Sequence, residues 1–182
     1  MSCGNEVYIS VDVEASGPIP GEYSLLSIGA CVVYEPERTF ECIVKPISDN
    51  ADPKALEVTG MILADLAVSG LAPDSAMSRF AQWVLEVSGD GSPIFVGLNA
   101  SFDWSFINYY FVRYHGSNPF GFAALDIKSL YMGAQRCGWR ETRSSDMKRR
   151  LNAESSGTHD ALEDALFQAE LFRLIRLGLQ SD

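Results

Sequence analysis

From Val7 to Val13 the run Val-Tyr-Ile-Ser-Val-Asp-Val puts every second side chain on an apolar face, which predicts a strand. Leu25 to Tyr34 and Thr39 to Lys45 are two further β-rich runs, and Glu35-Pro36-Glu37-Arg38 between them predicts a hairpin turn. The period then changes. Asp52 before Pro53 is an N-cap with proline at the first helical position, opening a short helix that ends near Gly60. Pro73 and Asp74 open a longer helix in which Met77, Phe80, Ala81, Val84 and Val87 recur at helical spacing as a core row. The loop from Gly89 to Pro93 delivers a short buried strand, Ile94 to Gly97, and an aromatic-rich helix follows from about Asp103 to Tyr114. One more short strand ends at Leu125-Asp126-Ile127, and helical segments are expected over Lys128 to Gln135 and Ser145 to Leu151. The last helix takes Asp160 as N-cap with Glu163 three residues on, a capping-box pattern, and closes at Gly178. Three meander strands followed by strand–helix alternation predict an α/β fold whose mixed five-stranded sheet carries helices on both faces.

Composition narrows the class. With 182 residues, 47% of them hydrophobic and 21% charged, the chain reads as a single globular domain spanning 1–182. No apolar run approaches the ~20 residues of a membrane span. The N-terminal run Met1 to Glu6 has no basic segment before an apolar stretch, and Cys3, Cys31, Cys42 and Cys137 are scattered without metal or disulfide spacing. A cytoplasmic protein with reduced cysteines is the expectation. The net charge of −10 argues against non-specific coating of duplex nucleic acid. Arg136, Arg140, Arg143, Lys148, Arg149 and Arg150, opposed by Glu141 and Asp146, form a local stretch of net +4. On charge alone that stretch reads as a solvated face.

The candidate chemistry lies in three separated elements. Asp12 and Glu14 project from one face at the end of the first strand, where the chain breaks into Ala15-Ser16-Gly17-Pro18. Strand ends that open into Gly/Pro loops are where α/β sheets place ligands. The second element is Asn99-Ala100-Ser101-Phe102-Asp103, and the third is His159 with Asp164 five residues on. Each has an ordinary reading: a wet strand face, a helix N-terminal acid, a loop histidine, a solvated carboxylate. Together, four acids and one histidine supply ligands for two divalent cations and a base for water, the needs of phosphodiester hydrolysis.

In order and flanks these elements resemble the His-type DEDD family of 3′→5′ exonucleases, whose members share a ribonuclease-H-like fold. The resemblance extends to Tyr23–Ala30, to Leu56-Glu57-Val58-Thr59-Gly60 and to the run from Leu125 to Leu130. One departure is Gly97-Leu98, where the family often carries a histidine before the asparagine. The resemblance implies a three-layer fold, with Asp12, Glu14, Asp103 and Asp164 holding two Mg2+ or Mn2+ ions and His159 as general base. It also implies substrate contacts from Ser16, Gly17, Asn99 and Phe102, and an apolar wedge, Met61, against the terminal base. Phe106 is expected in the core, Phe102 and Trp104 are open between stacking and packing, and Asp126 is expected to make a structural hydrogen bond. Arg149 and Arg150 are the candidates for guiding the backbone.

The function implied is exonucleolytic release of 5′-mononucleotides from the free 3′-hydroxyl of single-stranded nucleic acid. RNA is favoured because small relatives without polymerase or helicase attachments often act on RNA ends, and a homodimer is implied by the same relatives. The alternatives are a DNA exonuclease acting as a proofreading or trimming subunit, and a non-catalytic nucleic-acid-binding protein on the same fold. The latter predicts a missing ligand, and all five positions are filled. A haloacid-dehalogenase-type phosphatase needs an aspartate where Glu14 stands.

Overall fold

The computed structural model describes residues 5–179; Cys3 lies outside them. Its sheet contains β1 (Glu6–Ala15), β2 (Leu25–Val32), β3 (Glu35–Ile43), β4 (Ser92–Gly97) and β5 (Ala124–Asp126) in the order β3-β2-β1-β4-β5. β1, β2 and β3 pair antiparallel, whereas β4 lies parallel to β1 and β5 parallel to β4. The helices are α1 (Pro53–Thr59), α2 (Leu63–Ser69), α3 (Pro73–Ser88), α4 (Ala100–Tyr110), α5 (Ile127–Gln135), α6 (Ser144–Leu151) and α7 (Ala161–Gly178). Ile9, Val11 and Val13 face a core with Met77, Phe80 and Val84 of α3 and Phe106 and Tyr110 of α4. The opposite face packs on α5, α6 and α7 through Val96, Tyr131, Met147, Leu171 and Phe172. This is the expected three-layer arrangement. No described helix is long and apolar enough to cross a membrane.

Four local expectations are corrected. The hairpin turns at Val33-Tyr34, with Val32 paired to Glu35, so Glu35 to Arg38 belong to β3. β3 is an edge strand, and an edge accepts Pro36 because its missing N–H costs no ladder bond. The helix expected from Asp103 begins three residues earlier, at Ala100, after Asn99 in the left-handed region (φ 66°), and its last turn is a π turn over Phe111–His115. Asn tolerates that backbone better than most residues. Glu163 does not complete a capping box: it accepts the Thr158 hydroxyl at 2.6 Å, while Asp160 caps the Leu162 and Glu163 N–H groups. Nor is the Tyr8–Ser10–Asp12–Glu14 face wet. Tyr8 packs against Phe172 and Ser10 is fully buried, because α7 lies across that face.

Gly29 makes this covering possible. It pairs with Asp12 across β1 and β2, and a Cβ there would sit 2.1 Å from the Ala161 carbonyl carbon and 2.2 Å from the Leu162 nitrogen. With no side chain at Gly29, the first turn of α7 rests on the strand beside Asp12.

Candidate active site

Pairing between β1 and β4 stops at Ser10–Val96, but β1 runs on to Ala15. The tip of β1 therefore projects past its parallel neighbour, and α4 enters from one side and α7 from the other. Asp103, one turn into α4 and only 4% exposed, fills the gap and accepts the Val13 N–H at 3.1 Å. From the α7 side, Asp164 accepts the N–H groups of Thr158 (2.7 Å) and His159 (3.2 Å), folding the preceding loop back over the site. Glu170 anchors the other end of that loop through the Glu154 and Ser155 N–H groups. His159 is exposed and left-handed (φ 64°), a conformation with a cost of about 1 kcal/mol that the Asp164 tether offsets. Atoms of Glu14, His159 and Asp164 able to bind a metal lie within 4.8 Å of one another.

These groups strain one another electrostatically. Burial, then Asp103, Asp164 and Glu14, drive the Asp12 carboxyl well above the usual carboxylate range, opposed by a hydrogen bond from Gln168. Burial, then Asp164 and Asp160, push Glu14 up to about 7. Burial also pushes Asp103 up to about 8 against the stabilising Val13 N–H. A cluster of buried carboxylates that resist joint ionisation is what a divalent cation relieves, and an all-oxygen carboxylate set suits a hard ion. The residues fit the metal ions that the resemblance implies.

Two hollows adjoin the cluster. One, of about 350 Å³, is lined by Asp12, His159, Asp164, Ser144, Ser145 and Lys148. The other, of about 390 Å³, is lined by Glu14, Gly17, Pro18, Val58, Thr59 and Phe102. The sequence-derived substrate residues divide accordingly. Phe102 and Gly17 are lining residues, Phe106 is in the core, and Trp104 packs edge-on against Phe95. Asn99 is exposed at the head of α4. Ser16 is fully buried, its hydroxyl donating to the Asn50 carbonyl and accepting the Ser24 N–H, so it is engaged in holding the loop and does not face the hollow. Met61 is half-buried, and Val58 and Thr59 stand in the wall where a wedge was expected. Asp126 caps both α4, through Ala100, and α5, through Ser129, as a structural acceptor.

The basic stretch is also redistributed. Arg149 is paired to Asp146 at 2.6 Å and Arg150 to Glu141 at 2.7 Å, whereas Lys148 faces the hollow and makes no ion pair among the described residues. Successive residues on a helix point ~100° apart, so three adjacent cations cannot share one direction. Sequence reading missed Lys148 as the inward cation, and it missed Gln168. The latter had a signal: it stands four residues after Asp164, hence on the same helix face, as a lone amide among apolar neighbours.

Comparisons with known proteins agree with this geometry. A family model described as an exonuclease, RNase_T, matches residues 9–172. A protein of Escherichia coli described as the 3′-5′ DNA exonuclease Cap18 is 57% identical over 176 residues, covering 96% of this chain and 94% of its own. The nuclease domain of 3′hExo, a DEDDh family member bound to rAMP, superposes with a TM-score of 0.75 at 17% identity, over 99% of this chain and 94% of that one. E. coli exonuclease I in complex with a dT13 oligonucleotide gives 0.74 at 17% identity over 97% of this chain, which spans 42% of that longer one. At these identities the two structures establish the fold.

Proposed function

The chain belongs to the RNase_T exonuclease family, and on that premise we propose that it is a metal-dependent 3′→5′ exonuclease releasing 5′-mononucleotides from single-stranded DNA. The observation that carries this reading is the convergence of Asp12, Glu14, Asp103 and Asp164, from three separate segments, into one strained acidic cluster beside His159. Those four carboxylates would hold two ions, magnesium or manganese. Once bound, such ions stabilise charge on the attacking and leaving oxygens. His159 accepts the proton of the attacking water, and its exposure and loop position leave the ring free to reach solvent. Gly17, Val58 and Phe102 form a wall for the terminal nucleotide beside Glu14, with Phe102 available for base stacking. Lys148 supplies the positive charge that an otherwise acidic chain needs to hold a second phosphate.

The RNA preference expected from the likeness to small RNA-acting relatives finds no support, and the 57%-identical relative described as a DNA exonuclease favours DNA. The homodimer implied by the resemblance is tested by sedimentation at assay concentration. Digestion of matched 5′-labelled DNA and RNA oligonucleotides tests the main reading. DNA should shorten one nucleotide at a time from its 3′ end, EDTA should stop it, Mg2+ or Mn2+ should restore it, and a 3′-phosphate should block it. Near-normal turnover by Asp12→Ala would refute the site, and faster digestion of RNA would refute the substrate.

A further inference from the structure

Gln168 is a polar side chain placed in the floor of the site at only 3% exposure. Its carbonyl oxygen accepts the Leu98 N–H at 2.8 Å, just past the end of β4. That bond fixes which end of the amide points where. The NH2 group must face the other way, and it donates to Asp12 Oδ1 at 2.5 Å. The amide thus spans from the backbone of one strand end to the carboxylate at the tip of the next.

Resting on the exonuclease reading, we propose that Gln168 is a positioning residue that orients the Asp12 carboxylate for metal. A carboxylate among three others has no reason to hold one rotamer: its neighbours repel it, and both oxygens seek positive charge. A neutral donor locked from behind occupies Oδ1 and leaves Oδ2 for the cation. Because the donor is uncharged, it orients the ligand without competing with a cation as a lysine would. The Leu98 anchor is essential to the arrangement, since without it the amide could turn its oxygen toward Asp12 and repel it.

Hydrogen-bonded partners behind a metal ligand typically change metal affinity or activity ~10–100-fold. The test is calorimetric titration of Mn2+ into wild-type protein and into Gln168→Met, which keeps the volume and removes the donor, with the melting temperature of the metal-free proteins recorded alongside. Gln168→Ala, where water can reach the Leu98 N–H, replaces it if the methionine variant does not fold. The expected result is Mn2+ binding weaker by tenfold or more, with kcat reduced and KM for single-stranded DNA little changed. A variant that melts lower but binds Mn2+ within twofold of wild type would overturn the proposal, leaving Gln168 as an ordinary buried hydrogen bond. If wild-type protein binds no Mn2+, the exonuclease reading itself fails, and that outcome is distinct.

Discussion

Gly29→Ala adds one methyl group at a position with no catalytic atom, yet it should damage catalysis more than stability. The new Cβ would lie 2.1 Å from the Ala161 carbonyl carbon, 2.2 Å from its oxygen and 2.2 Å from the Leu162 nitrogen. All three are backbone atoms of the first turn of α7, so no side chain can swing aside. Restoring an ordinary carbon–carbon contact of about 3.4 Å requires roughly 1.3 Å of movement between β2 and α7. Overpacking of this kind costs on the order of 1–3 kcal/mol, which a domain of this size can survive. The helix that moves carries Asp164 and the tethered His159, and a displacement near 1 Å costs about 10²-fold in rate. We therefore expect a folded Gly29→Ala protein with kcat/KM down by about two orders of magnitude and weakened Mn2+ binding. The measurements are circular dichroism, melting temperature, manganese calorimetry and single-stranded DNA digestion. Gly133→Ala is the control: its Cβ meets nothing within 4 Å, and alanine within a helix should raise stability by about 0.5–1 kcal/mol. A Gly29→Ala enzyme with wild-type kcat/KM and metal affinity would show that the close approach of α7 to β2 does not set the site.

The remaining predictions concern protons, the base and the substrate path. Glu14 at about 7 and Asp103 at about 8 hold protons in the folded protein that the unfolded chain has already lost above ~4–5, so their contribution to metal-free stability should fall as pH rises from about 5 to 8. Mn2+ competes with those protons, so its affinity and its stabilising effect should increase over the same window; melting curves across pH with and without Mn2+ check the sign. His159→Ala should lose ~10²–10⁴-fold in turnover with Mn2+ binding largely kept, whereas Asp164→Ala should lose both and expose the Thr158 and His159 amides to faster hydrogen exchange. Loss of Mn2+ binding in the His159 variant would make the imidazole a ligand. Lys148→Ala should weaken single-stranded DNA binding and flatten its salt dependence more than the Arg149→Ala/Arg150→Ala double variant does, because only Lys148 faces the hollow. Equal salt slopes for the two proteins would remove Lys148 from the path.

Period and punctuation in the sequence sufficed for the fold class. Alternation over Val7 to Val13, the helical row from Met77 to Val87 and the caps at Asp52 and Asp160 are local signals, and local backbone chemistry obeys them wherever tertiary contacts agree. The same locality explains the errors. The Val33-Tyr34 turn carries no Gly, Asn or Asp to announce it, and Pro36 marks a turn unless the strand is known to be an edge, which is a property of the assembled sheet.

The five acidic and imidazole side chains could be named as one candidate set because their order and flanks resemble those of the exonuclease family, although each alone has an ordinary use. Their surroundings were not. Whether Ser16 faces substrate or a neighbouring carbonyl, which of Lys148, Arg149 and Arg150 turns inward, and why Gly29 must lack a side chain depend on contacts between separate segments, 34 residues apart for Ser16 and Asn50 and more than a hundred for Gly29 and Ala161. The sequence determined the chemical inventory and the elements that carry it, because residue type and period act within one or two turns. Tertiary structure alone decided the electrostatics and orientation of the site, because these depend on burial and on the approach of α4 and α7 to one strand tip.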